Sequence, residues 1–585
     1  MKKSMNLFIG ISVLLMVGIY ILPFLLSYSY VKMGPLPLDF SSDVYLYLNY
    51  TLLHPSNDGF VMNPWYHVLV PAEQLTYLKY GLLNLFSALN AMLSHNLALT
   101  LVVWNAVWSL ITFLTAFLLF KRISGADNIW ALIFGVSLLF FFQISALPTY
   151  LHGWAHFPGV DFFSSALLPL QRTFFPQLAI PLLLLYLYFL IDAFETGKIY
   201  QWPILFIVQF IAFINFPYNT VLMGMTTLLY IIFLFFAKKR LPWRAIVIFG
   251  IAVIAADLFY LLHGSVSSND TERHTSIIEF NISVIKEILG GTTMALLILS
   301  FLTLLIQAKN RYIKFALSSL GFGLFLLLFC DVFIKSKAQL THHFFYFINP
   351  VISILLFYTL VKTSVYIKKY RQVLFAIGTF FLVSTGVLIT YAQTQKSLSD
   401  NIRNSFIIES LKKIDPTKND LIIAPANNVN DVATWIPLIA PSEVLFSRNS
   451  EYLLPNSEKG HEIYWKREAI YLYLKGVDSK KLHQILFETH NDNAIKKIIM
   501  VGQRFDLDSE ERNIILEDVF RKISYWLNIF EEHPQTLKDF FSKYDRIIVI
   551  EKPTGPKFSS LSYFTDIGKF KKDDLAEINV YKIIK

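Results

Sequence analysis

The sequence has 585 residues, of which 55% are hydrophobic and only 16% are charged, and its mean hydropathy is +0.49. Soluble domains carry about 25% charged residues, so this composition excludes a wholly soluble protein. The formal net charge of +9 does not call for a nucleic-acid partner, because many of the lysines and arginines form short clusters between apolar segments, as orientation signals of membrane proteins do. A single cysteine excludes an intrachain disulfide.

Long apolar segments predict about eleven transmembrane helices, because a span needs about 20 apolar residues. The first begins after Lys2 and Lys3 and is expected to be an uncleaved span rather than a signal peptide. The segment 75–93 is apolar but contains Lys79, so it is predicted to be a helix along the membrane surface. The predicted spans are 6–28, 97–120, 129–147, 174–192, 203–217, 219–236, 245–262, 288–307, 314–334, 343–361 and 372–392.

The basic clusters between these spans predict the orientation of the chain. If 75–93 lies on the surface, the clusters Lys238–Arg244 and Lys368–Arg371 fall on the same side as the N-terminus. Positive clusters mark the cytoplasmic side, so we expect a cytoplasmic N-terminus in the inner or plasma membrane. The longest loops then lie on the outer face, and they are 29–96, 148–173, 263–287 and 335–342.

The composition from about residue 393 onward is that of a soluble domain. Short β-branched runs predict strands there, and helical patterns lie between them at 461–476 and 509–523. The predicted strands are 420–425, 443–447, 496–502, 546–552 and 578–584. The fold prediction is therefore a polytopic α-helical transmembrane domain, residues 1–392, followed by an extracytoplasmic α/β domain, residues 393–585. The latter has no phosphate loop or nucleophile elbow and is expected to shape or dock a substrate.

Two carboxylates in the stretch "LDFSSDVYLYLNY" follow the first predicted span. Asp43 and Tyr47 share one face of a predicted surface helix. A carboxylate at headgroup depth is partly desolvated, which raises its pKa and suits it to general-base catalysis. Asp43 is therefore a candidate catalytic residue, with Asp39 as a second candidate. The alternative is that both aspartates cap helices and face water.

Gln171 and Arg172 lie at the outer end of a predicted span and are candidate substrate-binding residues. Arg172 suits a phosphate, since a guanidinium binds phosphate through two hydrogen bonds. The alternative is an arginine that extends to the lipid headgroups.

Further candidate substrate-binding residues are Lys337, His342 and His343, which follow one span and precede the next. They could bind a phosphate, although histidines at a membrane interface are commonly structural. Asn63, in the turn signal "NPWYH", is a candidate as well. Metal ligands stay unknown at this point, because His152 and His156 have a metal-like spacing that a helix-breaking sequence interrupts. A divalent cation is left open as a cofactor.

The stretch "SDVYLY" (Ser42–Tyr47) resembles the motif of GT-C glycosyltransferases, in which an acid at the start of the first outer loop is followed by a tyrosine. The predicted spans, surface helices and outer C-terminal domain are similar to that superfamily too. The resemblance implies an inverting enzyme that transfers a sugar from a polyprenyl-phosphate-linked donor to a glycan, lipid or protein acceptor at the outer face. It also implies that Asp43 is the base and that lipid surrounds the site.

Two other functions remain open on the sequence. A transporter or flippase would need charged groups within its spans, where this chain has few. A non-catalytic scaffold of envelope glycan assembly is the other alternative, because Asp43 is followed by Val44 where many GT-C members have a second acid.

Overall fold

The structure is a computed structural model. It describes the following segments and, in addition, a few isolated positions between them. These segments are residues 60–71, 81–125, 128–140, 178–238, 276–277, 291–306, 310–329, 335–336, 340–363, 402–426, 432–447, 458–488, 509–551, 564–572 and 576–583.

Helices make up nearly all of the described chain between residues 81 and 363. They are α1 (Gly81–Met92), α2 (Leu97–Ile123), α3 (Asn128–Phe140), α4 (Ala179–Thr196), α5 (Gln201–Asn215), α6 (Pro217–Lys238), α7 (Gly291–Leu305), α8 (Arg311–Leu327) and α9 (Leu340–Thr363). Within α2, α4 and α6 lie three segments long and apolar enough to cross a membrane, Leu99–Ile123, Ala179–Thr196 and Tyr218–Ala237.

The helices α2 to α9 coincide with eight of the predicted spans, so the helical structure of those segments is confirmed. The predicted spans 6–28, 245–262 and 372–392 fall almost wholly outside the described residues, and the total of about eleven stays a prediction. Helix α1 lies within the segment 75–93 and packs against α2 and α5. Its predicted place along the membrane surface stays a prediction.

Four helices meet at one end of the bundle, which we call the Arg122 end. Arg122, in the last turn of α2, forms ion pairs with Asp192 at 2.8 Å and Glu195 at 2.7 Å in the last turn of α4. The Nδ2 of Asn310, the N-cap of α8, donates to the Glu195 carboxylate at 2.8 Å. Gln201, at the start of α5, donates to Asp192. These polar contacts bring the ends of α2 and α4 to the starts of α5 and α8.

The opposite end of the bundle is named here the Phe216 end. Phe216 alone separates α5 from α6, so the chain reverses within one residue. The Nδ2 of Asn219 donates to the carbonyl oxygen of Ala179 at 2.9 Å, which joins the start of α6 to the start of α4. The rings of Tyr218 and Phe344 lie 6.0 Å apart and join α6 to the first turns of α9. Helices α4, α5 and α6 therefore run alternately between the two ends of the bundle.

Close helix packing in the bundle depends on Gly321 in α8. A Cβ added at this position would overlap the Oγ of Ser300 in α7 and lie 2.9 Å from the Leu355 side chain in α9. Small residues let helix backbones approach in this way, and van der Waals packing drives helix association in lipid. Gly321 thus permits α7, α8 and α9 to meet.

Two short antiparallel pairs of strands lie in the segments predicted as outer loops. Strands β1 (Phe60–Met62) and β2 (Leu69–Pro71) form a hairpin in the first of these loops. Strands β3 (Ser276–Ile277) and β4 (Lys335–Ser336) pair with each other and join the loops 263–287 and 335–342. The two loops therefore meet, and their predicted place on the outer face stays a prediction.

The C-terminal part contains a five-stranded mixed sheet, so the predicted α/β character is confirmed. Its strands are β5 (Leu421–Ile423), β6 (Glu443–Val444), β7 (Ile547–Glu551), β8 (Phe564–Lys572) and β9 (Ala576–Ile583), in the order β6-β5-β7-β9-β8. Strands β6, β5 and β7 are parallel, whereas β9 is antiparallel to β7 and β8. The predicted strand 496–502 lies outside the residues that the structure describes.

Helices accompany this sheet. They are α10 (residues 402–414), α11 (Val432–Trp435), α12 (Glu458–Leu474), α13 (Ser479–His483), α14 (Ser509–Glu532) and α15 (Pro534–Phe541). Helices α12 and α14 pack against each other and correspond to the two predicted helical patterns. The boundary predicted at residues 392 and 393 is not among the described residues.

Candidate functional site

Most of the predicted site residues lie in segments that the structure does not describe. These are Asp39, Asp43, Gln171, Arg172 and Lys337. His342 and His343 belong to the first turn of α9, but their side chains are not described. Asn63 is described in full. The geometry of the site is therefore built from the elements that flank these residues.

Two of the flanking elements, α4 and α9, meet α6 at the Phe216 end of the bundle. Helix α4, which follows the Arg172 segment, begins at Ala179 and receives the hydrogen bond from Asn219 of α6. Phe344, directly after His343, packs against Tyr218 of α6. Ala179, seven positions after Arg172 in the sequence, and Phe344, directly after His343, thus both lie beside the start of α6.

Asn63 shapes the turn of the β1–β2 hairpin. Its Oδ1 accepts hydrogen bonds from the backbone N–H groups of Trp65 at 2.9 Å and Tyr66 at 3.1 Å. The Asn63 N–H also donates to the carbonyl oxygen of Val68 at 2.8 Å. With 1% of its surface exposed, Asn63 holds the turn in place. Its predicted contact with substrate stays a prediction.

The tip of this hairpin is bound to the C-terminal sheet. The indole Nε1 of Trp65 donates to the carbonyl oxygen of Ala433 in α11 at 3.2 Å, and the Val444 N–H donates to the carbonyl oxygen of Trp65 at 2.7 Å. Trp65 is fully buried. Because Val444 belongs to the edge strand β6, the hairpin tip covers that edge of the sheet. The first predicted outer loop and the C-terminal part are therefore joined.

Arg467 of α12 contacts the hairpin tip. Its guanidinium carbon is 4.4 Å from the centroid of the Tyr66 ring, and its Nη2 forms an ion pair with Glu443 at 2.6 Å. The Tyr544 hydroxyl donates to the same carboxylate at 2.8 Å. Burial alone would lower the pKa of Arg467, but Tyr544 and Glu443 outweigh it and raise that pKa. The arginine therefore stays charged and holds the hairpin and the sheet together.

His67 follows Tyr66 with a positive φ of 50°, a conformation that few non-glycine residues adopt. Its imidazole is partly buried, and burial lowers its pKa; Glu443 opposes this, while Arg467 and Lys418 add to it. His67 is therefore neutral at pH 7 and sits at the contact between the hairpin and the sheet.

The polar and charged groups described above lie at the helix ends and on the hairpin. Among the described residues, no group of three or more histidine, cysteine, aspartate or glutamate side chains could hold a metal ion. The hairpin contact with Ala433 and Val444 and the role of Arg467 were not predicted, since nothing in a single sequence pairs residues that lie so far apart. The Asn-Pro turn signal and the adjacent Trp65 and Tyr66 were the only local signs of it.

Comparisons with known proteins place few constraints on the chain. No protein-family model and no curated protein matches its sequence. Two solved structures, both cryo-EM classes of one mutant of the arabinofuranosyltransferase AftD from Mycobacteria, are similar to it at a TM-score of 0.47 and 12% sequence identity. The matches cover 98% and 100% of this chain but 41% and 42% of the AftD chains.

Proposed function

We propose that this chain is an integral membrane glycosyltransferase that transfers a sugar from a polyprenyl-phosphate-linked donor to an acceptor at the outer membrane face. The observation that carries the proposal is the meeting of α4, α6 and α9 through Asn219, Ala179 and Phe344 at the Phe216 end. The segment with Arg172 leads into α4, and His342 and His343 lie in α9. In this proposal the candidate phosphate-binding groups lie at that end of the bundle and bind the lipid phosphate there.

The proposed reaction is a single displacement. An acceptor oxygen forms a bond to the anomeric carbon while the bond from that carbon to the phosphate oxygen breaks, which inverts the configuration. Asp43 takes the proton of the acceptor hydroxyl. Asp39 helps to position Asp43. The electron pair and negative charge go to the leaving lipid phosphate, which Arg172 stabilises through two hydrogen bonds, with Gln171, Lys337 and the histidines nearby.

The bound hairpin supports the proposed place of the first outer loop. Trp65 and Tyr66, near the middle of that loop, contact Ala433 and Arg467. In the proposal, this contact gives the chain that follows Asp43 a fixed support at the C-terminal domain. A fixed support reduces the freedom that a catalytic segment must lose on reaching its reactive position. In this proposal the domain 393–585 is extracytoplasmic, and the N-terminus is cytoplasmic.

Sugar transfer by the purified chain tests the proposal. The full chain, in nanodiscs, would be incubated with polyprenyl-phosphate sugars that carry a radioactive sugar, together with a glycolipid extract of the host membrane. Transfer of label into the extract, with release of polyprenyl phosphate, is the expected result. If no donor of this class loses its sugar, the enzyme proposal is wrong, and the non-catalytic scaffold becomes the better account.

A further inference from the structure

Two arginines of the C-terminal domain, one buried and one partly buried, are paired with carboxylates. Arg467 contacts Glu443 at 2.6 Å, and Arg546 contacts the buried Asp420 at 2.6 Å. Such pairs are expected, because a charge removed from water is costly unless an opposite charge or hydrogen bonds compensate it. A partly buried cation without a carboxylate partner is therefore a candidate binding group for an anion from outside the chain.

Lys466 of α12 is such a cation. It is partly buried, and among the described residues no carboxylate lies within ion-pair distance of it. Its Nζ lies 4.6 Å from the centroid of the Trp526 ring of α14. Burial and the charge of Lys543 lower the pKa of Lys466, Glu462 raises it, and Arg467 lowers it further. Lys543 thus adds its positive potential at Lys466, and Glu462, exposed one turn earlier in α12, opposes it.

Aromatic rings form the wall beside these lysines. The rings of Tyr525 and Trp526 lie 5.3 Å apart and nearly perpendicular, and 60% of Tyr525 is exposed. An exposed tyrosine offers a flat apolar face and a polar hydroxyl, a combination common at binding surfaces. The neighbouring lysine on this face of α14, Lys522, is already paired with Asp518 at 2.5 Å. Among the described residues, Lys466 therefore keeps no carboxylate partner, and the charge of Lys543 adds to its own.

We propose that Lys466, Lys543, Tyr525 and Trp526 form a binding site for an acidic saccharide, a sugar ring that carries a phosphate or a carboxylate. The anion compensates the two lysines, each of which acts as a point charge toward phosphate. The apolar face of the sugar ring packs on Tyr525. We call this group of four residues the Lys466 site.

A membrane surface fits this face less well. Insertion into lipid requires a continuous apolar surface, and among the described side chains of α14 the next exposed large apolar residue before Tyr525 is Ile514, eleven positions earlier. That separation is about 16 Å along a helix. Among the described side chains of α14, Tyr525 is therefore an isolated exposed ring, which suits one sugar better than a bilayer.

Protection of lysines from acetylation tests the Lys466 site in the full chain. The acetylation rates of Lys466 and Lys543 would be measured by mass spectrometry with glucose 6-phosphate, glucose or inorganic phosphate present. Glucose 6-phosphate should slow both rates by about tenfold near saturation, and glucose should not. Inorganic phosphate should bind more weakly, because it lacks the ring. Lys480, which is exposed on α13, is the internal control and should be unaffected by all three.

Variants separate the two parts of the ligand. Tyr525→Ala should reduce the affinity for glucose 6-phosphate to that for phosphate, and Lys543→Gln should weaken both, whereas Lys480→Gln should change neither. Equal slowing at Lys480, no slowing at Lys466, or equal affinities for phosphate and glucose 6-phosphate would overturn the proposal. Stronger protection by phosphatidylglycerol vesicles than by the sugar phosphate would overturn it in favour of a lipid surface. The measurement needs no sugar transfer, so its failure leaves the proposed function standing.

Discussion

The indole Nε1 of Trp65 donates a hydrogen bond at 3.2 Å to the carbonyl oxygen of Ala433, a residue 368 positions later in the chain. The carbonyl oxygen of Trp65 accepts from the N–H of Val444 at 2.7 Å, so the contact continues into the edge strand β6. The hairpin tip therefore supplies part of the C-terminal core. If the hairpin moved away from the sheet, the Val444 N–H of β6 and the Trp65 indole would both lose their hydrogen-bond partners.

Trp65→Ala is expected to destabilise the C-terminal sheet as well as the hairpin. Replacing a buried tryptophan by alanine costs about 3–5 kcal/mol, and here it also leaves the Ala433 carbonyl oxygen without its partner from the indole. Hydrogen exchange at residues 432–447 should accelerate strongly. Trp243→Ala is the matched control, because Trp243 is 68% exposed, and it should leave that exchange unchanged. Unchanged exchange in Trp65→Ala would show that the hairpin contact contributes little.

Helices and strands whose burial is visible as a local sequence pattern were predicted well. The run Asp420–Pro425 contains β5, and the helix predicted at 509–523 begins at Ser509, because apolar periodicity and β-branched runs reflect burial directly. Strand β8 was missed: it lies at the edge of the sheet, most of its side chains are at least partly exposed, and its register shifts between Asp566 and Gly568. An exposed edge strand shows no apolar run to find.

Stability at the hairpin contact should depend on pH through His67. Burial lowers the pKa of His67 below 6.5 in the folded protein, although Glu443 opposes the shift. The folded state therefore binds fewer protons than the unfolded state in this range, so the stability is present above pH 6.5 and is lost as the pH falls. The unfolding temperature should fall more between about pH 7.5 and pH 5.5 in the wild type than in His67→Gln, which cannot titrate there. An equal fall in both would contradict the assignment to His67.

The proposed orientation predicts opposite accessibility for two exposed positions. Ser542 lies in the C-terminal domain, and Lys198 lies between α4 and α5 at the Arg122 end. In a Cys330→Ala background, Ser542→Cys should react with an impermeant maleimide in intact cells, and Lys198→Cys should react only after lysis. The reverse pattern would place the C-terminal domain in the cytoplasm and overturn the proposed site with it.

The candidate site was less predictable than the fold, and the reason is physical. A catalytic pattern such as Ser42–Tyr47 is short. An aspartate in it can equally serve as a helix cap, so residue type alone does not distinguish a catalytic base from a cap. The contact between Arg467 and Tyr66 depends on residues that only the tertiary structure brings together. Periodicity reports which face of an element is buried, and it carries no information about which distant element covers that face.

Substitutions of Arg172 distinguish an arginine that binds a phosphate from one that only extends to the lipid headgroups. An arginine that only extends to headgroups can be replaced by lysine, since both side chains reach the interface. A guanidinium that holds a phosphate through two hydrogen bonds cannot. Arg172→Lys and Arg172→Ala should therefore both weaken donor binding and slow turnover, while the unfolding temperature changes little. Full activity in both variants would show that Arg172 does not bind the donor phosphate.

Asp43 carries the chemistry of the proposed reaction, so Asp43→Asn is its sharpest test. The substitution keeps size and polarity but removes the proton acceptor. A positioned general base contributes about 10²–10⁴-fold, and turnover should fall by about that factor with little change in expression or unfolding temperature. Asp39→Asn is the matched control and should cost much less. Transfer at the wild-type rate in Asp43→Asn would end the general-base assignment, and loss of activity in Asp39→Asn alone would move the base to Asp39.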